Sequence, residues 1–269
     1  MANSLDKVLR EAVSYIAAHG FDNSPQMQIY IAMLREAASA SMISESAMIA
    51  QMRASLEQRF KRALTPYAVN RLFRGRVATL NIDNIRPDLQ DELARRIMAN
   101  AELIKLNRQQ AIDKVSQRFA GWMTSVPIGG SREIDTREVV KDISKSAKQL
   151  RFEINRRNID QGHKLVAAVN ATMAKQSNAI AAIWRSRWRR PNYDYREPHK
   201  ELDGKVFAIR DNWAIVRGLM NKGDGFVEDM VQPAQEPYCS CSWEYVIGLR
   251  GLPESMLTAK GKATLEAKA

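Results

Sequence analysis

From Asp88 to Phe119 the chain contains neither glycine nor proline, and it is rich in Leu, Arg, Glu and Gln. Those residues favour the helix, and no other run in the chain keeps a helical pattern for so long. A helix of that length is held by burying one face against neighbours rather than by propensity. The region around it must therefore supply more helices.

The sequence before it does so. Ser4 can cap a helix whose Leu5, Val8, Leu9, Ala12, Val13 and Ile16 share a face, with His19-Gly20 as its end. Ser24-Pro25 reads as an N-cap followed by proline at the first helical position. The next helix carries Ile29, Ile31, Met33, Leu34 and Ala37, and small polar residues from Ala38 to Ser46 bend or interrupt it. Ala47 to Leu64 is helical again, with Ile49, Met52, Leu56 and Phe60 three and four apart. Thr65-Pro66, Gly75 and Arg86-Pro87 are expected breaks. Residues 1–125 thus read as an all-α region of short-linked helices.

Val126 to Ser131 (VPIGGS) concentrates Pro127, Gly129 and Gly130, and residues 126–134 are expected to be a linker. Beyond it, Asp135 to Ile159 and Gly162 to Trp188 read as two helices. Pro191 and Pro198 end helicity, and Lys205–Ile209, Gly225–Asp229 and Tyr238–Ile247 have the composition of strands. The expected fold is mainly α: a helical N-terminal region, then a small α+β module over residues 135–254 with a short antiparallel sheet. Residues 255–269, rich in Ala and Lys, read as a fraying or disordered tail.

The chain has 269 residues and a net charge of +11. Much of the excess is local: residues 151–200 hold eleven Lys and Arg against four Asp and Glu. Such a surface meets phosphates, acidic partners or anionic membranes, or simply solvates a helix face. The amphipathic first helix has charges of both signs, which speaks against lipid. No apolar run is long enough to span a membrane, and residues 1–18 lack the pattern of a signal peptide. Only two cysteines occur, one residue apart, so a disulfide would be strained and synthesis in a reducing cytoplasm is expected. The twelve methionines are scattered along helical faces as core filler. Walker, HExxH, GxSxG and GxGxxG motifs are missing.

Polar and small residues gather between Trp184 and Cys241. After Pro198, His199 stands near Asp203 and Asp194 in sequence, which suits either an oriented imidazole or a polar turn in which Asp203-Gly204 reverses the chain. On a strand Cys239 and Cys241 would point to one side. With His199, and with Asp203 or His163 as a fourth ligand, they could hold zinc; otherwise they are two small buried side chains. Arg185, Arg187, Arg189 and Arg190 alternate with Trp184 and Trp188. In a helix the two tryptophans share a face as core anchors, while the arginines are free for DNA phosphates or an acidic protein.

The order Trp188, Asp194-x-Arg196-x-x-His199-x-x-Leu202-Asp203-Gly204-x-x-Phe207, then Pro233-x-x-x-Pro237-x-Cys239-Ser240-Cys241, resembles the phage Mu F-like head-morphogenesis family of minor capsid proteins. The resemblance covers roughly Arg151 to Trp243. It departs at Ser240, where the family usually has a basic residue. It implies a non-enzymatic protein of the virion, inside the capsid near the portal vertex after assembly in the host cytoplasm, that aids head assembly and genome packaging or ejection. It further implies that Trp188, Asp194, Arg196, His199, Leu202, Asp203, Gly204, Phe207 and Pro237 stabilise a fold. Implied partners are the portal protein, packaged double-stranded DNA, and a scaffold or major capsid protein. Two rivals stay open: a metal-dependent hydrolase acting on DNA through the His/Cys/Asp cluster, and an internal protein ejected with the genome.

Overall fold

The computed structural model describes residues 4–21, 25–74 and 82–267. The protein is mainly helical, with a helical N-terminal part and a small α+β module. The expected cap at Ser24 and break at Gly75 lie outside the described residues.

The helices are α1 (Leu5–His19), α2 (Pro25–Ser41), α3 (Glu45–Ala63), α4 (Pro66–Leu72), α5 (Ile82–Met123) and α6 (Thr136–Gln176), followed by the short α7 (Glu197–Glu201), α8 (Trp213–Val216) and α9 (Ala259–Glu266). Strands are β1 (Phe73–Arg74), β2 (Ala181–Arg185), β3 (Val206–Ala208) and β4 (Ser242–Val246). Among the described residues no helix is long and apolar enough to cross a membrane.

Two compact units emerge, each made of separate pieces of chain: Met1–Met52 with Ala99–Arg157, and Arg53–Met98 with Asn158–Ala269. This division does not follow the expected one at residues 126–134, because α3, α5 and α6 each contribute to both units.

In the first unit, α1 buries the expected face, Leu5, Val8, Leu9, Ala12, Val13 and Ile16. Ser4 accepts from the Lys7 N–H as its cap. Segment 126–131 is the loop between α5 and α6, and it closes the end of α1. Gly129 and Ser131 donate N–H groups to the carbonyls of His19 (3.1 Å) and Ala17 (2.8 Å), which a helix C-terminus otherwise leaves unpaired. Gly20 and Gly130 both have positive φ, +77° and +80°. A Cβ on either would stand 2.0 Å from the Pro127 carbonyl or 2.1 Å from that of Ala17, so backbone meets backbone there. The glycines mark a close approach, not a flexible linker.

Pro87 does not break the chain as expected. It lies inside α5, one turn past its start, where a missing N–H removes one backbone bond without ending the helix.

The second unit holds a sheet of order β1-β4-β2-β3. The expected antiparallel part is β4-β2-β3, with Trp184 opposite Trp243 and Ala182 opposite Phe207. β1, from the N-terminal half, adds in parallel to β4 and makes the sheet mixed. On one face Ile180, Ile183, Val206, Ala208 and Val246 join Ala214, Leu219, Met220, Leu249, Leu252 and Met256 in a core.

Three expectations are corrected. Asp135–Ile159 and Gly162–Trp188 are not two helices. α6 runs unbroken from Thr136 to Gln176, and 181–185 is β2. Ala181 to Trp184 are all buried, so the strand has no polar alternation and in sequence looks like buried helix. Asn178, at φ +51°, turns the chain out of α6. Gly225–Asp229 is not a strand: Val227–Asp229 forms a 3-10 turn, and Arg210 binds both carboxylate oxygens of Asp229 (2.6 and 2.7 Å). The tail is helical over Ala259–Glu266 rather than disordered. Thr258 caps α9, and Thr258 N–H bonds the Leu219 carbonyl at 3.2 Å, so the module extends past residue 254.

Candidate metal centre

Two irregular segments of the second unit meet over the face of the sheet that carries Trp184 and Trp243. The first runs from β2 to α7. Pro198 sits at the start of α7, where its missing N–H costs nothing, and His199 follows, 7 % exposed. The His199 ring meets the Trp184 indole edge-on at 5.3 Å, and Trp184 meets Trp243 edge-on at 5.1 Å. The apolar floor thus leaves the imidazole nitrogens to be satisfied on its rim.

The second segment, residues 233–241, supplies the partners. Ala234 and Tyr238 both have positive φ, +65° and +62°, a strained conformation for residues other than glycine. The Tyr238 N–H donates to Asp160 Oδ1 at 2.7 Å, and Asp160 is in turn paired with Lys164 at 2.9 Å. The Ser240 N–H donates to the Tyr193 hydroxyl at 3.0 Å. So held, the segment turns both cysteine side chains inward: Cys239 is fully buried and Cys241 5 % exposed. They lie just before β4 rather than on a strand, yet still on one side.

His199 Nδ1 is 3.6 Å from Cys239 Sγ and 3.7 Å from Cys241 Sγ. The three ligand atoms all lie within 4.8 Å of one another. A tetrahedral zinc with bonds of about 2.1 Å to nitrogen and about 2.3 Å to sulfur places such atoms about 3.6 Å apart. The cluster could therefore hold a metal ion with little rearrangement. The same spacing is that of thiol–imidazole hydrogen bonds, so the groups are also partnered without one.

On its far side, His199 Nε2 lies 3.3 Å from Glu236 Oε2. Arg196 Nε is 3.0 Å from that carboxylate oxygen, and Arg196 Nη2 donates to the Pro237 carbonyl at 3.0 Å. A carboxylate behind a ligating histidine orients the ring and raises its basicity. The carboxylate beside His199 is thus Glu236, not Asp203 or Asp194. Glu236 was legible only as an acidic residue immediately before Pro237. The hydrogen bond between the thiols pulls Cys239 down to about 5, helped by backbone N–H groups and opposed by burial. The same bond and burial push Cys241 up.

Asp203 is no ligand. Its Oδ1 accepts from the Ser186 N–H at 2.9 Å and its Oδ2 from Trp188 Nε1 at 3.1 Å, tying the stretch after β2 to the turn before β3. Gly204, at φ +85°, completes that turn and donates to the Trp184 carbonyl at 2.9 Å. The Leu202 carbonyl accepts from the Lys205 N–H at 2.9 Å, and Phe207 packs edge-on against Trp243 at 5.8 Å. Asp194 is exposed. His163 is not a fourth ligand either: its Nδ1 is 3.2 Å from the Cys239 carbonyl. Burial, then Arg59, lowers its pKa.

The four arginines do not form one free patch. Arg185, on β2, is ion-paired with Glu244 of β4. Arg189 stacks over Trp188 at 4.5 Å. Arg187 and Arg190 are exposed and border a cavity of about 300 Å³. Comparison with protein-family models, with curated proteins and with solved structures finds no match to this chain.

Proposed function

We propose that the chain is a minor head protein of a tailed bacteriophage, similar to the Mu F-like head-morphogenesis proteins, and that its C-terminal module is a scaffold stapled by zinc. One observation supports this above others: residues of the motif that are distant in sequence bond one another or backbone. Asp203 takes up Ser186 and Trp188, Arg196 takes up Glu236 and Pro237, and His199 meets both cysteines. Side chains so engaged hold a fold, which is the role the resemblance implies for them. His199, Cys239 and Cys241 would hold the zinc, and the ion would cross-link α7 to the segment before β4. Two thiolates and an imidazole suit zinc, and His199 is backed by Glu236.

In this reading the protein sits inside the capsid near the portal, in few copies, in contact with the portal protein and packaged DNA. Mass spectrometry of purified virions is expected to find it far below the major capsid protein. Its absence from mature particles, or hundreds of copies per particle, would sink the reading.

Three protein ligands with a fourth position open also favour a second reading, a metal-dependent hydrolase acting on DNA. Metal-loaded protein that cleaves DNA, and loses cleavage but not its melting temperature on His199→Ala, would replace the scaffold by an active site.

A further inference from the structure

We propose that the second unit carries a phosphate-binding pocket built from Arg59, Arg187, Arg190 and the Ser240 hydroxyl. These residues line one cavity of about 300 Å³, ample for a phosphate group with part of what carries it. No carboxylate lines it among the described residues, and none of the three guanidiniums is ion-paired there. That sets the cavity apart from the rest of the arginine segment, where Glu244 neutralises Arg185 and Trp188 occupies Arg189.

Two independent observations point to a ligand. The Ser240 Oγ is buried and has no hydrogen-bond partner among the described residues, although buried hydroxyls are nearly always paired. Turned into the cavity by rotation about its Cα–Cβ bond, the hydroxyl would donate to a phosphate oxygen. The second is Gly162, in the interior of α6. A Cβ there would stand 2.4 Å from both Cδ and Nε of Arg59, so the arginine lies directly across the bare helix backbone. A helix-interior glycine is destabilising relative to alanine. Here it leaves room for one guanidinium to reach the cavity wall. Burial and the neighbouring Arg62 both work against the charge on Arg59, a penalty that a bound anion would offset.

Guanidinium groups match phosphate oxygens in bidentate pairs, and three around one cavity suit a doubly or singly charged phosphate. The phosphate could be free or part of a nucleic-acid backbone. The pocket stands apart from the virion reading, since binding is measured on the purified chain.

The test uses full-length protein with two probes, inorganic phosphate and random-sequence duplex DNA, at matched ionic strength. Arg59→Gln and Arg187→Gln are each expected to weaken phosphate binding about tenfold, as loss of a charge-assisted pair does. Gly162→Ala is expected to weaken it severalfold with net charge and helicity unchanged, because it displaces Arg59 without removing it. If the phosphate is a DNA backbone group, the slope of log affinity against log salt should fall by about one unit in either arginine variant and no further in the double. Phosphate binding with unaltered DNA slopes would identify the source as a small phosphate. Wild-type affinity for phosphate in both Gly162→Ala and Arg59→Gln would overturn the pocket. So would DNA slopes that fall independently with each arginine, which is how separate surface charges behave.

Discussion

At the scale of single residues, Asp203 shows how one side chain can define a module. Its two oxygens accept from a backbone N–H and an indole N–H more than a dozen residues back. Asp203→Ala leaves both donors without their partner and is expected to lower the module's stability by about 1–3 kcal/mol. Urea unfolding followed by tryptophan fluorescence measures this directly, since Trp188 is one of the partners. A variant as stable as the parent would remove Asp203 from the scaffold. Arg185 teaches the complementary lesson. No acidic residue is near it in sequence, yet Glu244 neutralises it across two strands. Local charge density therefore overstated the free arginines, and it missed Arg59, which lies more than a hundred residues from Arg187.

Among the elements, α1 and the loop that closes it are the most exacting piece of the first unit. Gly129 and Gly130 both have positive φ, but only Gly130 faces a backbone carbonyl at 2.1 Å. Gly129→Ala is expected to cost about 1–2 kcal/mol, the penalty for a left-handed alanine. Gly130→Ala adds a clash that no rotamer relieves and should cost clearly more. Thermal unfolding of the pair decides it, and equal losses would mean that the loop moves away from α1 without penalty. α6 and β2 form the other instructive pair. Leu165, Val169 and Met173 stand at helical spacing, and Ile180 to Trp184 continue the apolar run. Composition alone did not separate them. The turn at Ser177-Asn178 and burial of β2 on both faces did.

For the whole molecule, a metal that binds only the folded chain stabilises it by mass action, about 2.7 kcal/mol when its free concentration is a hundred times Kd. One zinc per chain is expected in protein purified without chelator. Chelation should lower the melting temperature, and zinc should restore it. In Cys241→Ser the chelator effect should shrink, because a thiolate ligand is gone. Protein that carries no metal and melts at one temperature with or without zinc would leave the trio as a thiol–imidazole cluster.

What the sequence alone determined is what depends on neighbours along the chain. The apolar face of α1, the cap at Ser4, the break at Thr65-Pro66, the turn at Asp203-Gly204 and strand β3 all follow from residues a few positions apart. Helical periodicity and turn chemistry act at that range. The association of His199 with Cys239 and Cys241 was also legible, because few other residue types share that chemistry. Tertiary structure alone decided the rest. It brought β1 to β4, Glu236 to His199, Glu244 to Arg185 and Arg59 to Gly162. Each of these contacts joins groups whose separation in sequence carries no signal. A carboxylate or a guanidinium looks the same whether it meets water or a distant partner, and only the packing of the chain selects between them.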